Sequence, residues 1–517
     1  MALQREISNA LSYATSKGYQ VHPDAFAMLK GLDTNILKTI QDIIKIKIKQ
    51  KEKSLIIVED IKKYILDDKI KVMNVNIGGV KASSTTYSSS FSEENHHKVI
   101  MDPTPKVNSG EGVEGYTALF RSRLEKSLRI LALRPESKRI TKIASIRQKA
   151  NNSKTNKSYR EGSLTVNSSF IVAGLLMSRH SKKNGIEITI DDYSGTLSAF
   201  AITEESKKQA SMLALDQTVM LEVENTMRGI PGLFIKNLVS PDIPEHIPTR
   251  SSSESYAVLI SDLHVGSRYF MKEEFTRFLN WLSSTDDEIV RKIKFVCIGG
   301  DVIDGIGIFP NQDKELLEMD TSKQMAHATE LLAKIPRHMK VFIIPGNHDP
   351  GRRALPQPSL PRVDTDRLYS LDNFIMLGNP GLVELNGVRV LMYHGQSLDD
   401  IIATTPGLTY SKPAEVMKVL LKARHLSPIY GQRTPIAPEQ EDMMVITDVP
   451  DILHSGHIHI VDVQNYRGTL IVNSGAWQAQ TKFQQTMGII PTPGIAILIN
   501  LATLQPFQMN FNQLSTM

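Results

Sequence analysis

The stretch VFIIPGNHD, residues 341–349, is the most informative segment of the C-terminal half of the chain, because it combines a strand with a set of polar groups. Its first four residues form a continuous apolar run with the length of a buried strand. A Pro-Gly pair then interrupts regular structure, and the polar residues Asn347, His348 and Asp349 follow at once. An apolar strand that ends in amide, imidazole and carboxylate groups is a unit from which a metal site in an α/β sheet can be built.

Four further segments repeat this design, each a short apolar run followed directly by side chains able to bind a metal. They are YAVLISDLH (256–264), KFVCIGGDVID (294–304), VRVLMYHG (388–395) and DILHSGHIH (451–459). Strands that alternate with helical segments predict a layered α/β domain, in which strand ends gather their side chains into one crevice. We expect Gly300, Gly346 and Gly456 to allow tight turns and close approach of the backbone to a bound group.

Composition limits the kind of metal site. The chain has 517 residues, a net charge of +5 and a single cysteine, Cys297. One cysteine excludes disulfide frameworks and thiolate zinc sites within the chain, so a metal would be held by His, Asp, Glu or Asn. These ligands suit Mn²⁺, Fe, Zn²⁺ or Mg²⁺, and the number of histidines argues against Mg²⁺ alone. A chain of this length is expected to form about two to four domains.

The sequence contains no membrane or export signal that we recognise. No apolar run approaches the roughly 20 residues needed to cross a bilayer. The first twenty residues are amphipathic and mixed in charge, without the apolar core and small-residue cleavage site of a secretory signal. We therefore expect an intracellular, cytoplasmic protein with no membrane partner.

Composition also divides the first half of the chain. Residues 1–70 carry apolar side chains at helical spacing and predict a small helical docking domain. Residues 71–115 are rich in serine and poor in core residues, which predicts a flexible tether. In this tether His96 and His97 are expected to be inert. Residues 116–161 predict a helix followed by a basic linker.

The basic linker and the segment after it suggest contact with a phosphate-bearing partner. Between Arg121 and Arg160 stand thirteen Lys or Arg against two Glu, a concentration that suits phosphate contacts; a solvated linker is the alternative. Residues 162–248 contain about five short strands around a hairpin at 191–195, which predicts an OB-type β-barrel. The pattern leaves open whether the barrel binds single-stranded nucleic acid or only another subunit.

Together, the five strand-and-ligand segments resemble the calcineurin-like metallophosphoesterase superfamily over about residues 255–480. The resemblance implies a two-layered-sheet α/β phosphoesterase domain over residues 255–517, preceded by the OB-type barrel and the small helical domain. It implies two divalent metal ions, with Mn²⁺ as the first expectation and Mg²⁺, Fe or Zn²⁺ as alternatives, and a water activated between them as the nucleophile. By resemblance, one metal is held by Asp262, His264 and His459, the second by Asn347, His394 and His457, and Asp301 bridges both.

The same resemblance gives His348 and Asp349 catalytic roles. His348 would stabilise the pentacovalent phosphorus or protonate the leaving oxygen, and Asp349 would orient His348 through a hydrogen bond. Asp304 is expected behind the ligands or at the start of a helix. His454 is expected to be a packed neighbour of the site.

The order of the domains resembles the small subunits of archaeal family-D DNA polymerases, which are related to the accessory B-subunits of eukaryotic replicative polymerases. In those eukaryotic subunits the metal ligands are degraded, whereas every expected ligand is present here. The resemblance implies a metal-dependent 3′→5′ exodeoxyribonuclease that proofreads within a heterodimer and scaffolds its large catalytic subunit. The implied partners are that subunit, the 3′ end of single-stranded DNA or a primer-template, and a sliding clamp reached through the complex.

The proline-rich segment ALPQPSLP, residues 354–361, resembles the loop after GNHD in the same polymerase subunit. Arg352 and Arg353 precede it and are expected to contact the DNA backbone; surface charge without a partner is the alternative. Two other functions stay open. A structural polymerase subunit with little activity is disfavoured by the intact ligands, and a stand-alone metallophosphodiesterase for small substrates is disfavoured by the barrel and the basic linker.

Overall fold

A computed structural model describes residues 96–146, 169–224 and 232–512, with short pieces between residues 13 and 56. The chain divides into two compact units, Met1–Ser92 and Glu93–Met517. In the first unit the described pieces include two short parallel strands, β1 (Gln20–Val21) and β2 (Leu55–Ile56). Most of the helical domain predicted for residues 1–70, and most of the basic linker after residue 146, lie outside the described residues.

The second unit is a mixed α/β structure with two six-stranded sheets and a closed five-stranded barrel. The first sheet has the order β12 (Phe374–Met376), β11 (Lys340–Ile343), β10 (Ile293–Ile298), β9 (Tyr256–Ile260), β18 (Ile495–Asn500), β19 (Gln505–Asn510). The second has the order β16 (Asp462–Tyr466), β17 (Thr469–Asn473), β15 (Ile452–Ser455), β14 (Val388–Met392), β13 (Gly381–Leu385), β3 (His97–Met101). The barrel has the order β4 (Ser169–Lys182), β5 (Gly185–Asp191), β6 (Thr196–Ala201), β8 (Phe234–Val239), β7 (Thr218–Glu224).

The helices connect these strands. They are α1 (Gly112–Leu131), α2 (Glu204–Ser211), α3 (Lys272–Leu282), α4 (Glu288–Arg291), α5 (Thr321–Leu332), α6 (Arg362–Tyr369), α7 (Leu398–Thr404), α8 (Pro413–Ala423) and α9 (Lys482–Thr486), with 3-10 turns at Thr104–Lys106, Pro135–Arg139 and Gln312–Glu315. Among the described residues, none of these helices combines the length and the apolar character that a membrane crossing requires.

The strand register explains why the segments quoted above meet. In the first sheet β9, β10, β11 and β12 run parallel, and Ile298 pairs with both Ile260 and Ile343. Three strands therefore end level with one another at the same edge. In the second sheet β14, β15 and β17 also run parallel, with Met392 opposite His454. Because parallel strands share a carboxyl edge, the polar residues that follow them are delivered to the same side of each sheet.

The two sheets pack face to face on a shared apolar core. Side chains of the first sheet such as Leu259 and Phe295 meet side chains of the second such as Val390 and Ile452. The opposite face of the first sheet packs against α3 and α5, and the opposite face of the second packs against α8. Strands buried on both faces are apolar throughout rather than alternating, which is why their sequences read as continuous apolar runs.

The segment predicted as a tether over residues 71–115 ends earlier than expected. From His97 to Met101 the chain forms β3, which pairs antiparallel with β13 at the edge of the second sheet, and α1 begins at Gly112. The expectation for the last part of the tether was therefore wrong. An edge strand such as β13 presents unpaired backbone groups, and β3 satisfies them, which is a tertiary reason for order that local composition does not carry.

The barrel occupies the region between Ser169 and Val239. Its antiparallel strands close through a parallel contact between β6 and β8, and the interior is filled by apolar side chains that include Val172, Ile188 and Leu221. The five short strands expected in this part of the chain are thus present as a closed barrel. Its assignment as an OB-type barrel stays a prediction.

Helix α1 fastens the barrel to the sheets through one buried arginine. Nε of Arg123 lies 2.8 Å from Oδ2 of Asp442, in a loop of the sheet domain. Nη1 donates to the carbonyl oxygens of Pro428 at 2.6 Å and Asp216 at 3.1 Å, and Asp216 lies in the turn before β7. The Arg123 side chain is 1% exposed, so its charge depends on these partners.

We predict that Arg123→Ala destabilises the chain strongly, because it leaves the buried Asp442 carboxylate without its guanidinium partner. Breaking a buried ion pair from one side costs about 3–5 kcal/mol. The free energy of unfolding, measured by urea titration, should fall by that order. Arg129→Ala on the same helix is the matched control, because Arg129 is 77% exposed. Equal effects of the two substitutions would contradict the bracing role of Arg123.

Candidate metal centre

The ends of the parallel strands open into one cleft of about 450 Å³. The side chains that line it include His264, Asp301, Asn347, His348, His457 and His459. Asp262 and His394 lie buried beneath these residues. The five separate segments of the sequence therefore bring their polar side chains to one place.

The first group of possible ligands consists of Asp262, His264 and His459, with one ligand atom of each within 4.8 Å of the others. Nε2 of His264 lies 3.1 Å from Nε2 of His459, which in turn lies 3.3 Å from Oδ1 of Asp262. All three residues are buried. Lone pairs of two imidazoles and a carboxylate that converge on one point form a donor set suited to a divalent cation.

The second group consists of Asp301, His394 and His457, again with ligand atoms within 4.8 Å of one another. Nε2 of His394 lies 3.3 Å from Oδ2 of Asp301 and 2.9 Å from Oδ1 of Asn347. These residues match the second set implied by the resemblance. Their role as ligands is a proposal developed below.

Asp301 lies between the two groups. Its Oδ2 is 3.3 Å from Nε2 of His394 in the second group and 3.7 Å from Nε2 of His264 in the first. Its Oδ1 accepts a hydrogen bond of 2.8 Å from the backbone N–H of His348. A carboxylate in this position can face two cations at once, as a bridging ligand requires.

The backbone at the strand ends is strained. Five residues in these turns have φ between 51° and 68°, in the left-handed region: Asp262, His264, Asp301, His457 and His459. Such a conformation costs a non-glycine residue about 1–3 kcal/mol, and this kind of strain collects at functional sites. Each turn directly follows a buried strand, β9, β10 or β15, which holds it in place with its side chains directed at the cleft.

Two glycines make room for the carboxylates. A Cβ on Gly346 would collide with the side chain of Asp301, and a Cβ on Gly456 would collide with those of Asp262 and Ser261. The sequence predicted that these glycines allow close approach of the backbone. The group approached is a carboxylate of the site itself.

A layer of hydrogen-bonding groups orients the imidazoles. Nδ1 of His394 donates to the carbonyl oxygen of Gly299 at 2.8 Å, and Nδ1 of His264 lies 2.9 Å from Oδ1 of Asp304. Each contact leaves Nε2 directed at Asp301. Partners on the second nitrogen of a ligand histidine hold the ring in place and raise its basicity. Asp304 takes the position that the sequence suggested, behind a possible ligand.

Asp399 is a further carboxylate at the site that sequence reasoning missed. Its Oδ2 lies 3.2 Å from Nε2 of His457, and it lines the cleft. This contact makes Nδ1 the nitrogen of His457 that is available to a cation. The sequence signal was a pair of acidic residues, Asp399 and Asp400, shortly after His394, and acidic residues at the start of a helix usually serve the helix itself.

The hydrogen bond predicted from Asp349 to His348 is replaced by another. Nδ1 of His348 donates to the carbonyl oxygen of Asp304 at 2.7 Å. The carboxylate of Asp349 instead accepts from the backbone N–H groups of Gly346 at 2.9 Å and Ile303 at 3.1 Å. The expectation for Asp349 was therefore wrong: it ties two strand-end loops together and positions His348 only through the backbone.

Negative charge dominates the electrostatics of the centre. Burial lowers the pKa of His264 and of His394, yet Asp304 and Asp301 overcome this effect and hold both pKa values at about 9. Burial raises the pKa of Asp262, and the neighbouring His459 brings it down to about 2. The carboxylates thus favour positive charge at the imidazoles, whether a proton or a metal cation supplies it.

Burial and the charge of Asp301 raise the pKa of Asp349 to about 7. The two backbone N–H groups that it accepts from act in the opposite direction. A carboxyl group so close to Asp301 is thus disfavoured as a second buried negative charge. This is consistent with a role in holding loops rather than in binding a cation.

The two arginines after GNHD differ in their surroundings. Nη1 of Arg352 lies 2.6 Å from Oε1 of Glu439, which is 1% exposed, and its guanidinium also donates to the carbonyl oxygen of Pro356. Arg352 therefore fastens its own loop, and its role as a DNA contact stays a prediction. Arg353 is exposed and lines the cleft.

His454 lies next to the site as a packed neighbour, as the sequence suggested. It is buried, and its Nε2 lies 3.0 Å from Oγ of Ser474.

We predict that Asp399→Asn weakens metal binding without unfolding the chain, because His457 loses the charge that orients it. Loss of such a partner costs about 10- to 100-fold in metal affinity. Titration of the metal-free chain with Mn²⁺, followed by calorimetry, measures the change. Asp366→Asn, at a carboxylate that is 83% exposed on α6, is the control. An unchanged Mn²⁺ titration of Asp399→Asn would remove this role.

Comparison with known proteins places the chain in a family. The family of B-subunits of DNA polymerases alpha and epsilon matches residues 257–459. The DNA polymerase II small subunit of Pyrococcus furiosus is 36% identical over 413 residues, which make up 77% of this chain and 65% of the relative. The small subunit of Archaeoglobus fulgidus is 37% identical over 416 residues, 79% of this chain and 78% of the relative.

Among solved structures, an archaeal phosphodiesterase aligns with 49% of this chain and 98% of its own, at 11% identity and a TM-score of 0.26. This likeness is too weak to say more about this chain.

The part of this chain that aligns with the Pyrococcus furiosus small subunit spans slightly less than two thirds of that relative. The match to the Archaeoglobus fulgidus relative covers more than two thirds of both proteins. On that basis the chain belongs to the family of archaeal DNA polymerase II small subunits.

Proposed function

We propose that this chain is the proofreading subunit of a replicative DNA polymerase and hydrolyses DNA phosphodiesters from the 3′ end at a two-metal site. The observation that carries the proposal is the convergence of seven possible ligands on one cleft, with Asp301 between two groups. A site that had lost its activity by mutation would be expected to lack some of these side chains. Every polar side chain that the two groups require is in place here.

The donor set fits two divalent cations. Asp262, His264 and His459 would hold one, and Asn347, His394 and His457 would hold the other, with Asp301 shared. When bound, such a pair of cations lowers the pKa of a water and neutralises the charge that develops on the phosphoryl oxygens. Mn²⁺ is the expected metal, with Mg²⁺, Fe or Zn²⁺ as alternatives, because the ligands are imidazoles and oxygens without thiolate.

In the proposed reaction the oxygen of a water attacks the last phosphorus of the strand. The bond between phosphorus and the 3′ oxygen of the preceding nucleotide breaks, which releases a 5′-mononucleotide and a strand shortened by one residue. The water loses one proton and the 3′ oxygen gains one. His348 would stabilise the pentacovalent phosphorus or protonate that 3′ oxygen, and protonation requires a proton on both of its ring nitrogens, against burial, which lowers the pKa of the imidazole. Its Nδ1 is held by Asp304, so Nε2 faces the cleft at 3.9 Å from Oδ2 of Asp301.

The remaining surfaces suggest where the partners bind. We propose that the barrel is of the OB type and that the barrel and the sheet domain together contact a large catalytic subunit. Arg353 is proposed as a contact to the DNA backbone, because it is exposed at the rim of the cleft. A primer-template or a single-stranded 3′ end is the proposed substrate, and a sliding clamp would be reached through the complex.

We predict that the full chain with Mn²⁺ shortens a 5′-labelled single-stranded oligonucleotide from its 3′ end, seen as a ladder on a denaturing gel. Asp301→Ala should abolish the ladder, because Asp301 lies between both groups of proposed ligands. Asp304→Ala should retain part of the activity, since Asp304 contacts only His264 among the proposed ligands. Equal losses in the two variants would refute the bridging role.

Two other outcomes of the same assay favour the alternative functions. No cleavage of any substrate, with metal bound, favours a structural subunit. Cleavage of nucleotide esters but not of DNA favours a stand-alone phosphodiesterase. Either result contradicts the proposed exonuclease.

We predict that His348→Ala lowers turnover about 10²- to 10⁴-fold, the range expected for loss of a general acid. The Mn²⁺ content per chain, measured by inductively coupled plasma mass spectrometry, should equal that of the wild type, because His348 is not among the proposed ligands. Asn347→Ala, at the adjacent residue, is the control and should lose bound metal. A metal deficit in His348→Ala would instead make His348 a ligand.

A further inference from the structure

One wall of the cleft is made of aromatic rings. The rings of Phe309 and Phe483 lie 5.5 Å apart between centroids, with planes inclined by 26°. Both residues line the same cleft as the candidate metal centre. Phe483 is 46% exposed, and Phe309 is half-buried. A nearly parallel pair of rings left open at the surface is unfavourable in water unless something covers it.

The loop that carries Phe309 is held at both ends. The backbone N–H of Gly305 donates to Gln324 at 2.9 Å, and that of Ile308 donates to Gln312 at 2.9 Å. The amide of Gln312 also donates to the carbonyl oxygen of Asp304 at 2.8 Å, which itself holds His348. The position of the Phe309 ring is thus coupled to the candidate acid.

The second ring is tied to the metal centre as well. Phe483 lies in the first turn of α9, whose start is closed by reciprocal hydrogen bonds between Thr481 and Gln484. The amide nitrogen of Gln484 also lies 2.8 Å from Nδ1 of His459. The aromatic pair is therefore preorganised by the same contacts that orient the proposed catalytic groups.

The surroundings of the pair combine aromatic rings with positive charge. The Phe309 ring lies 6.4 Å from the ring of His348, so a group that covers the aromatic pair would sit beside the proposed acid. Arg353 and Arg433 line the same cleft and supply positive charge for phosphates. Flat aromatic faces next to a positive groove bind single-stranded nucleic acid without sequence preference, because every base has a π-face.

We propose that Phe309 and Phe483 form a stacking platform for an unpaired nucleobase that flanks the scissile phosphate. This inference rests on the proposed exonuclease function and adds a source of selectivity to it. A base held in a duplex cannot reach the platform without unpairing, and unpairing costs least at a mismatched or frayed end. The platform thus favours hydrolysis of the ends that proofreading has to remove.

A protein surface is the competing occupant. Ile306, Met487 and Ile490 are also exposed near the aromatic pair along the chain, at 45%, 40% and 76%. An apolar rim of this kind also suits a contact with another subunit. The nucleobase is favoured because the two rings line the cleft and lie close to His348.

The test compares two single-stranded oligodeoxyadenylates of equal length, one intact and one with abasic residues at the last two positions. With Mn²⁺ and the full chain, the wild type should hydrolyse the intact strand with a kcat/KM about 10- to 100-fold higher, the range of base–aromatic stacking. Phe309→Ala and Phe483→Ala should each lose most of this preference. Phe483→Trp should keep it, because indole also stacks.

A matched control and a second measurement separate the possible results. Phe507→Ala removes a ring that is 39% exposed on β19 and should leave the preference unchanged. Binding of the same two strands, followed by fluorescence anisotropy in EDTA, should give the same order of variants without turnover. This second readout keeps the test valid for a variant that binds metal poorly.

Several results overturn the inference. A wild type that cleaves both strands equally, or Phe variants that retain the full preference, would refute the platform while leaving the exonuclease intact. Variants that keep the preference but no longer co-purify with a large polymerase subunit would assign the pair to a protein contact. A wild type that cleaves neither strand would refute the proposed function together with this inference.

Discussion

The rest of the centre depends on the contacts of one buried carboxylate, that of Asp301, with the imidazoles on either side of it. Its two oxygens face His394 and His264 on one side and the backbone N–H of His348 on the other. A negative charge removed from water requires such partners, because an unpaired buried charge costs several kcal/mol. The strands and turns around Asp301 bring imidazoles and a backbone N–H to its carboxylate, and Gly346 leaves room for it.

The strands and the shared core hold the imidazoles near Asp301 in fixed positions. Three parallel strands of the first sheet end in register, and the shared core fixes the second sheet against them. The strained turns after these strands are stabilised by the buried residues before them, so the fold itself holds the side chains in these directions. Preorganised groups need little rearrangement when charge develops, which is the main electrostatic advantage of an enzyme site.

Carboxylates near the centre divide into different tasks according to what they face. Asp304 and Asp399 face the second nitrogens of His264 and His457, where they favour a fixed ring orientation. Asp349 faces backbone N–H groups, so it holds two loops together. The same residue type thus serves ring orientation or loop geometry, and only the direction of the side chain distinguishes them.

Local patterns along the chain were enough to predict the strand-and-ligand segments, their order and the glycines that accompany them, since apolar runs and adjacent polar residues are features of short stretches. The two groups of possible ligands were predicted only through resemblance. Three contacts emerge only once the chain is folded: Asp399 lies beside His457, Arg352 pairs with Glu439, and β3 completes the second sheet. These contacts join residues far apart in the chain, and the direction of a side chain at such a contact depends on packing around it, which no local pattern encodes.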